Sequence, residues 1–470
     1  MAGLRYESTL GAPVEEAFAW HERPGAVERL LPPWEPVRVD APPAGLAEGS
    51  QLAFRLAVPG PVAPRWVARH AGYDPPHEFR DVQVRGPFRS WQHRHRFEPA
   101  DGGQTLLADE VDYELPCRRA TGVADPLVRN RLHRVFTYRH RQLADDLAAH
   151  QAAEQRGMGG LRVAVTGASG LIGRALTALL TSGGHQVLRM VRHRARGSDE
   201  LSWDPDTGSI DAAGLRGLDA VIHLAGAPIG RPWTPEHKQR IRDSRVDGTH
   251  LLATTLAELD GGPRVLVCGS AIGFYGYDRG DEQLTEGSAS GEGFLADVVR
   301  AWEAAADPAR EAGLRVVHVR TGIVQSPRGG TLGLQLPLFL AGAGGRLGSG
   351  DQWMSWVSID DIIGIFHHAL TSPEVRGAVN GTAPHPVTNA EYTATLGRVL
   401  GRPAVVPVPP LGPRLLFGND GARETALADQ RVLPERAGAG GYTFRQGDLE
   451  TALRHLLGRR TVATARLRVH

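Results

Sequence analysis

Three glycines in one short run have the clearest chemical purpose in this sequence. In LRVAVTGASGLIG a β-rich run ends at Gly167, and Gly170 and Gly173 follow at GxxGxxG spacing, ahead of the amphipathic stretch RALTALLTSGG. Strand, tight turn and helix in that order bring backbone N–H groups to a helix N-terminus, which is a site for a pyrophosphate. The first glycine permits the turn, the second lets the backbone approach the phosphates, and the third allows helix and strand to pack closely.

The next strand, HQVLRMV, runs into Arg192, His193 and Arg194. A site for NAD carries an acidic residue there to hold the ribose 2′-hydroxyl, and this segment has none. A guanidinium can clamp a 2′-phosphate bidentately, whereas a carboxylate would repel it. Arg192 therefore predicts NADP as cofactor.

Other residues offer proton or ligand chemistry. RVLVCGSAIGFYG reads as a strand delivering Ser270, followed by Tyr275 and, one residue beyond the run, Tyr277. Trp91, His93, His95 and Phe97 alternate onto one face of a strand, which presents the two histidines as ligands or bases, or as polar residues lining a sheet face. Lys238 is the single lysine, so any lysine-dependent chemistry has one candidate.

The elements that must position these residues fall into two patterns. From Leu161 onward, strands such as DAVIHLAG (219–226), RVLVCGSAIGFYG (264–276) and RVVHVRTGIVQSPRGG (315–330) alternate with helices, which implies a parallel, doubly wound α/β sheet of the Rossmann type. Residues 1–150 read instead as α+β. An opening strand, Leu4 to Leu10, and a helix begun at Pro13 precede five short strand-like segments punctuated by Pro and Gly. A long amphipathic helix from Pro126 then carries Leu132, Phe136, Leu143 and Leu147. A polar joint, 151–160, separates this part from an NADP-binding domain over 161–332. A small α+β subdomain over 333–458 and a tail, 459–470, complete the expected organisation. In the subdomain Asp360 and Asp361 stand where they can cap an apolar helix, and Gln352, Trp353 and Trp356 are candidates to line a substrate cleft.

Composition narrows the function classes. The 470 residues carry 53 Lys+Arg against 52 Asp+Glu, so no polyanion-binding surface is indicated and nucleic acid is not an expected partner. Cys117 and Cys268 match no metal or disulfide pattern, which fits a reducing, cytoplasmic setting. No stretch approaches the ~20 apolar residues that span a bilayer, so no integral membrane segment is expected.

The segments TGASGLIG, VIHLAGAPI, SRVDGTHLL, GSAIGFYG, GFLADVVRAWEAAA, RTGIV, GSGDQWMSWVSIDDI and NGTAPHPVTNAEYTATLGRVLGRP occur in order over 161–458. Together they resemble the extended and atypical short-chain dehydrogenase/reductases, in particular the NAD-dependent-epimerase-like family with a small C-terminal domain of unknown role. The resemblance implies that Gly167, Ala168, Ser169, Gly170, Leu171 and Ile172 hold the pyrophosphate and Arg192 the 2′-phosphate. It places Leu224, Ala225 and Gly226 along the adenosine and ribose, with Arg245 and Val324 near the cofactor. Ser270 corresponds to the serine that hydrogen-bonds a substrate hydroxyl or carbonyl. The implied activity is that of an NADP-dependent oxidoreductase or epimerase acting on a carbonyl or alcohol.

One departure is serious. The superfamily uses YxxxK, in which the tyrosine moves a proton and the lysine lowers its pKa. The corresponding helix, GEGFLADVVRAWEAAA, has neither, and Lys238 lies in an earlier segment with Thr234 four positions before it. Tyr275 is the candidate replacement phenol, and Asp297 and Arg300 are candidates for the helix face turned to the cofactor. The missing pair also fits a second class, an NADP-binding sensor with weakened or no catalysis.

The first 150 residues resemble the helix-grip fold of the START-like, polyketide-cyclase-like superfamily. That likeness implies a hydrophobic-ligand cavity between the helix and a curved sheet. The expected partners are thus a small-molecule substrate and a hydrophobic ligand of the N-terminal domain.

Overall fold

The computed structural model describes residues 2–41, 45–56, 65–116 and 121–459. Cys117 and the tail from 460 onward lie outside them. The chain divides into two compact units, one formed by residues 1–159 with 181–184 and 454–470, the other by 160–180 and 185–453.

In the first unit, strands β1 (Ala2–Leu10), β2 (Val37–Ala41), β3 (Gln51–Leu56), β4 (Arg65–Asp74), β5 (Glu78–Arg85), β6 (Ser90–Ala100) and β7 (Gln104–Glu114) form one antiparallel sheet in the order β1-β7-β6-β5-β4-β3-β2. Helices α1 (Val14–Glu22) and α2 (Ala26–Leu30) follow β1, and α3 (Thr121–Gln155) closes the unit. This is the helix-grip arrangement. The alternation of β6 turns Trp91, His93, His95 and Phe97 inward, and all four are buried. Phe18, Phe79, Phe97, Leu107, Leu143 and Leu147 pack into one core cluster and Tyr6, Trp91, Val111, Tyr113 and Phe136 into another. Between sheet and helices lies a cavity of about 390 Å³ bordered by Leu30, Phe54, Trp66, Phe79, Leu132 and Phe136, among others. Two features differ from the sequence reading. The edge strand β2 was not expected, and α3 continues through Gln155, so the first half of the expected joint is helical.

The second unit opens with β8 (Arg162–Thr166), α4 (Leu171–Ser182), β9 (Gln186–Val191), β10 (Glu200–Asp204), β11 (Ser209–Ile210) and β12 (Ala220–His223). Then follow α5 (Pro235–Glu258), β13 (Val265–Ala271), β14 (Asp278–Leu284), α6 (Phe294–Ala304), α7 (Asp307–Glu311), β15 (Arg315–Thr321) and β16 (Ile323–Gln325). The remaining elements are α8 (Gly330–Leu340), β17 (Trp353–Met354), β18 (Trp356–Ser358), α9 (Ile359–Thr371), β19 (Gly377–Gly381), β20 (Val387–Thr388), α10 (Asn389–Leu400), α11 (Leu411–Glu424), β21 (Asp429–Val432), α12 (Glu435–Ala439) and α13 (Leu449–Leu456). The main sheet has the order β11-β10-β9-β8-β12-β13-β15-β19 and is parallel except for the β10–β11 hairpin. Strand order reverses between β8 and β12, and in such sheets ligands bind at the carboxyl ends of the strands flanking that reversal. Val163, Val165, Val221 and Ile222 are fully buried, as strands covered on both faces require.

The C-terminal segments form small pairings, β14–β21, β16–β18 and β17–β20. Every residue of α9 is buried. Two expectations are corrected here. Trp356 lines no cleft: it is fully buried, and its indole N–H donates to the His385 carbonyl. The cap of α9 is Ser358, whose hydroxyl accepts from the Asp361 N–H. Asp361 instead ties in the C-terminal segment, accepting from the backbone N–H groups of Arg445 and Gln446 at 2.7 and 3.0 Å and from the Tyr442 hydroxyl. Among the described residues no helix is long and apolar enough to cross a membrane.

Candidate functional site

Thr166 and His223, at the carboxyl ends of β8 and β12, stand in register, and the glycine turn follows Thr166 directly. Gly167, directly after β8, has φ 67°, a left-handed conformation that residues other than glycine rarely adopt. A β-carbon there would also sit 2.8 Å from the Leu224 carbonyl carbon and 2.9 Å from the Ala225 nitrogen. One at Gly173 would run into the Gly167 carbonyl oxygen. The third glycine thus fits α4 against the turn itself rather than against the strand. Across the reversal, Leu224 and Ala225 donate their N–H groups to Thr166 Oγ1 at 3.0 and 3.1 Å, so the 224–227 segment is fastened to the glycine turn.

Arg245 and Ser244 of α5 support the same segment from behind. The Arg245 guanidinium donates to the carbonyls of Ala227 and Ile241, lies over the Trp302 ring, and would meet any β-carbon at Gly226 at 3.2 Å. Burial pushes its pKa down to about 10, and no carboxylate pairs with it among the described residues. Ser244 Oγ accepts from the Ala227 N–H. On the other side of the turn, β16 carries Val324, and the Val324 carbonyl stands 3.3 Å from the β-carbon position of Gly330. Leu171 of α4 in turn touches the β-carbon positions of Gly329 and Gly330. Contacts thus link Gly167 and Leu171 of the glycine turn, residues 224–226, Arg245 and Val324, all expected as cofactor residues from the sequence. Arg192 follows the end of β9, exposed and without an ion-pair or hydrogen-bond partner among the described residues.

Deeper in the same unit, at the carboxyl ends of β13 and β15, a buried polar network surrounds Ser270. Its hydroxyl donates to Glu303 Oε1 at 2.6 Å. Arg320 clamps Glu303 with two hydrogen bonds of 2.8 Å each, and its third nitrogen donates to the Tyr275 hydroxyl at 3.1 Å. Tyr275 donates to Asn380 Oδ1 at 2.8 Å. The Arg320 guanidinium also lies 3.4 Å from the centre of the Phe274 ring. Burial disfavours the Glu303 charge, but the Arg320 hydrogen bonds and charge outweigh it and hold the carboxyl below its usual range. Burial also raises Tyr275, despite the adjacent Arg320, and its side chain is fully enclosed with the phenol proton committed to Asn380.

Glu303, Arg320 and Asn380 were not singled out from the sequence. Glu303 lies in the segment GFLADVVRAWEAAA and Arg320 in RTGIV, but their pairing spans 17 residues and shows only in the fold. Asp297 and Arg300 of α6 form an exposed ion pair, with Arg300 also bonded to Ser290 Oγ and the Gly291 carbonyl. Lys238 bonds Asp420 at 2.7 Å and lies near the rings of Trp233 and Phe294, the latter the first residue of α6. The lone lysine is therefore close to the helix that would carry YxxxK, though it comes from α5. Glu424 accepts from the first two N–H groups of α6, at 3.0 and 2.7 Å.

This geometry coincides with a match to known proteins. A family model described as the NAD dependent epimerase/dehydratase family matches residues 163–380, one described as a domain of unknown function matches 408–456, and one described as polyketide cyclase / dehydrase and lipid transport matches 10–136. An epimerase family protein of Mycobacterium bovis is 43% identical over 292 residues, which are 62% of this chain and 96% of the relative. The chain belongs to the epimerase family. The human member SDR39U1 is 35% identical over 300 residues, 63% of this epimerase-family chain and all of the human one. A solved structure of that human protein with NADPH aligns with a TM-score of 0.58 over 63% of this chain and 99% of its own. A solved structure from Corynebacterium glutamicum, described as a nucleoside-diphosphate sugar epimerase, aligns over 98% of this chain and 91% of its own, with a TM-score of 0.79 and 37% identity. That likeness extends over both units of this epimerase-family chain.

Proposed function

We propose that the second unit binds NADP and acts as an oxidoreductase or epimerase on the carbonyl or alcohol carbon of a small molecule. The observation that carries the reading is Arg192: an exposed guanidinium without a partner among the described residues at the end of β9, beside a turn whose first and third glycines leave no room for a β-carbon. A phosphate on the adenosine ribose satisfies that charge, and a carboxylate that would reject it is absent from the run Arg192, His193, Arg194. The NADPH-bound human relative supports the same choice. When bound, the nicotinamide supplies or accepts hydride. The protein's own contribution is to hold the dinucleotide on residues 167–172 and to brace Leu224, Ala225 and Gly226 with Thr166 and Arg245. Ser270 fixes the substrate oxygen. Since the hydroxyl of Ser270 already donates to Glu303, this reading has it either accept from a substrate hydroxyl or turn from Glu303 to donate to a carbonyl. Tyr275 acts through Arg320 and Asn380 as a positioning residue.

Titration with NADPH and NADH tests the cofactor assignment. Arg192→Ala is expected to weaken NADPH by roughly 10- to 100-fold, the value of one or two charge-assisted hydrogen bonds, while leaving NADH nearly unchanged. An equal loss for both nucleotides would count against it. For the reaction, purified protein with NADPH is expected to oxidise the nicotinamide with some member of a broad carbonyl panel, and Ser270→Ala to abolish that turnover.

A second reading, an NADP sensor without turnover, is favoured by one feature. The only phenol beside Ser270 in this network, that of Tyr275, has its proton committed within the protein. Tight NADPH binding with no oxidation across the panel is its expected signature.

A further inference from the structure

The cavity of the first unit holds a side-chain cluster that the cofactor site does not use. Register brings it together: Asp81 on β5 stands opposite His93 on β6, and His95 stands opposite Asp109 on β7. One potential donor atom from each of Asp81, His93 and His95 lies within 4.8 Å of the other two, and all three residues border the cavity. Asp109 stands behind the histidines, with Oδ1 3.2 Å from His93 Nε2 and 2.6 Å from His95 Nδ1. Its Oδ2 lies 2.8 Å from His140 Nε2, and His140 Nδ1 is in turn 2.7 Å from Ser8 Oγ.

We propose that Asp81, His93 and His95 hold a divalent transition-metal ion of the zinc class at the cavity wall, with its open coordination positions available to the oxygen donor of an otherwise apolar ligand.

Two imidazoles and one carboxylate are the donor set of open zinc and non-haem iron sites. A carboxylate on the far nitrogen of each histidine fixes ring orientation in such sites, and Asp109 has that place for both rings. With His93 Nε2 and His95 Nδ1 on Asp109, His93 Nδ1 and His95 Nε2 are left for a metal. His93 Nδ1 is already 3.3 Å from Asp81 Oδ2, close to the ~3.4 Å between donors about 2.1 Å from a tetrahedral ion. The His93 and His95 ring centres are 3.9 Å apart, so the two imidazoles lie side by side at the cavity wall. The wall around the cluster is otherwise largely apolar, with Leu30, Phe54, Trp66 and Leu132 among its residues, which sets the class of ligand body that would fit.

The test uses the untagged full chain, stripped with a chelator and titrated with Co²⁺ and Zn²⁺. One Co²⁺ per chain with visible ligand-field absorption is expected, displaced stoichiometrically by Zn²⁺. Asp81→Asn and His95→Gln should each abolish the absorption, and Asp109→Asn should weaken binding by about 10- to 100-fold through the supporting contacts. His385→Gln, at an exposed histidine of the second unit, should bind as wild type. Wild-type protein that retains well under one equivalent of Zn²⁺ after gel filtration overturns the proposal whatever the variants do. Unchanged Co²⁺ spectra in Asp81→Asn and His95→Gln overturn it as well.

Discussion

Thr166 Oγ1 lies 2.7 Å from His223 Nδ1, joining the last residues of β8 and β12 across the point where strand order reverses. Both lone pairs of that oxygen already accept N–H groups, from Leu224 and Ala225. Its proton therefore goes to Nδ1, which makes His223 a neutral imidazole with its own proton on Nε2. Thr166→Val keeps the shape and leaves two partly buried N–H groups without their acceptor. We expect a stability loss of about 3 kcal/mol in urea denaturation, with weakened NADPH binding, and recovery of most of both in Thr166→Ser. A change below about 0.5 kcal/mol would show that the fastening is not needed.

The burial of His223 sets a pH dependence. Burial, reinforced by the Arg245 charge, pushes His223 down to about 4. The folded pKa lies below the unfolded value, so this contribution is complete above about pH 6.5. It is lost as pH falls toward 4, when the unfolded chain takes up the proton first, and the total is on the order of 3 kcal/mol. Denaturation profiles between pH 7 and 4 should fall less steeply for His223→Asn than for wild type. Identical slopes would remove His223 as the source.

The glycines predict opposite signs at two positions. At Gly173 a methyl group meets the rigid Gly167 carbonyl, so Gly173→Ala should disturb the turn, cost about 1–3 kcal/mol and lower NADPH affinity at least tenfold. At Gly438, within α12, nothing lies within 4 Å of the β-carbon position and φ is ordinary, so alanine should stabilise by about 0.4–1 kcal/mol. Thermal melts and nucleotide titrations of the two variants check both.

Glu303 and Arg320 form a nearly buried pair, their side chains 14% and 5% exposed. Glu303→Ala leaves a guanidinium enclosed without its carboxylate and should cost about 3–5 kcal/mol, whereas Glu303→Ala with Arg320→Met should cost less than the single change. A double-mutant cycle in denaturant measures this, and strict additivity would contradict the coupling.

Much of this architecture was legible because it is written locally. The glycine turn needs only residues 167–173 and the strand and helix beside them, and the alternation of β6 is visible in four residues. Edge strand β2 escaped because VRVDA is short and its pairing with β3 is non-local. Trp356 looked available for a cleft because an aromatic residue near a catalytic domain reads alike whether exposed or enclosed; the His385 carbonyl at its indole decided the matter. Asp361 looked like a cap because its neighbours in sequence form a helix, yet its carboxylate is bound by residues more than 80 positions away.

The sequence by itself determined that a dinucleotide turn is present, that its second strand ends in arginine rather than an acid, and that YxxxK is missing. These are properties of residue type and short spacing. Only the tertiary structure decided that Ser270 faces Glu303, that Tyr275 is enclosed by Asn380 and Arg320, and that Asp81 and Asp109 flank His93. Each of those relations joins separate strands or helices, and burial, which turns a hydrogen bond or a charge into a strong constraint, is set by the packing of the whole unit.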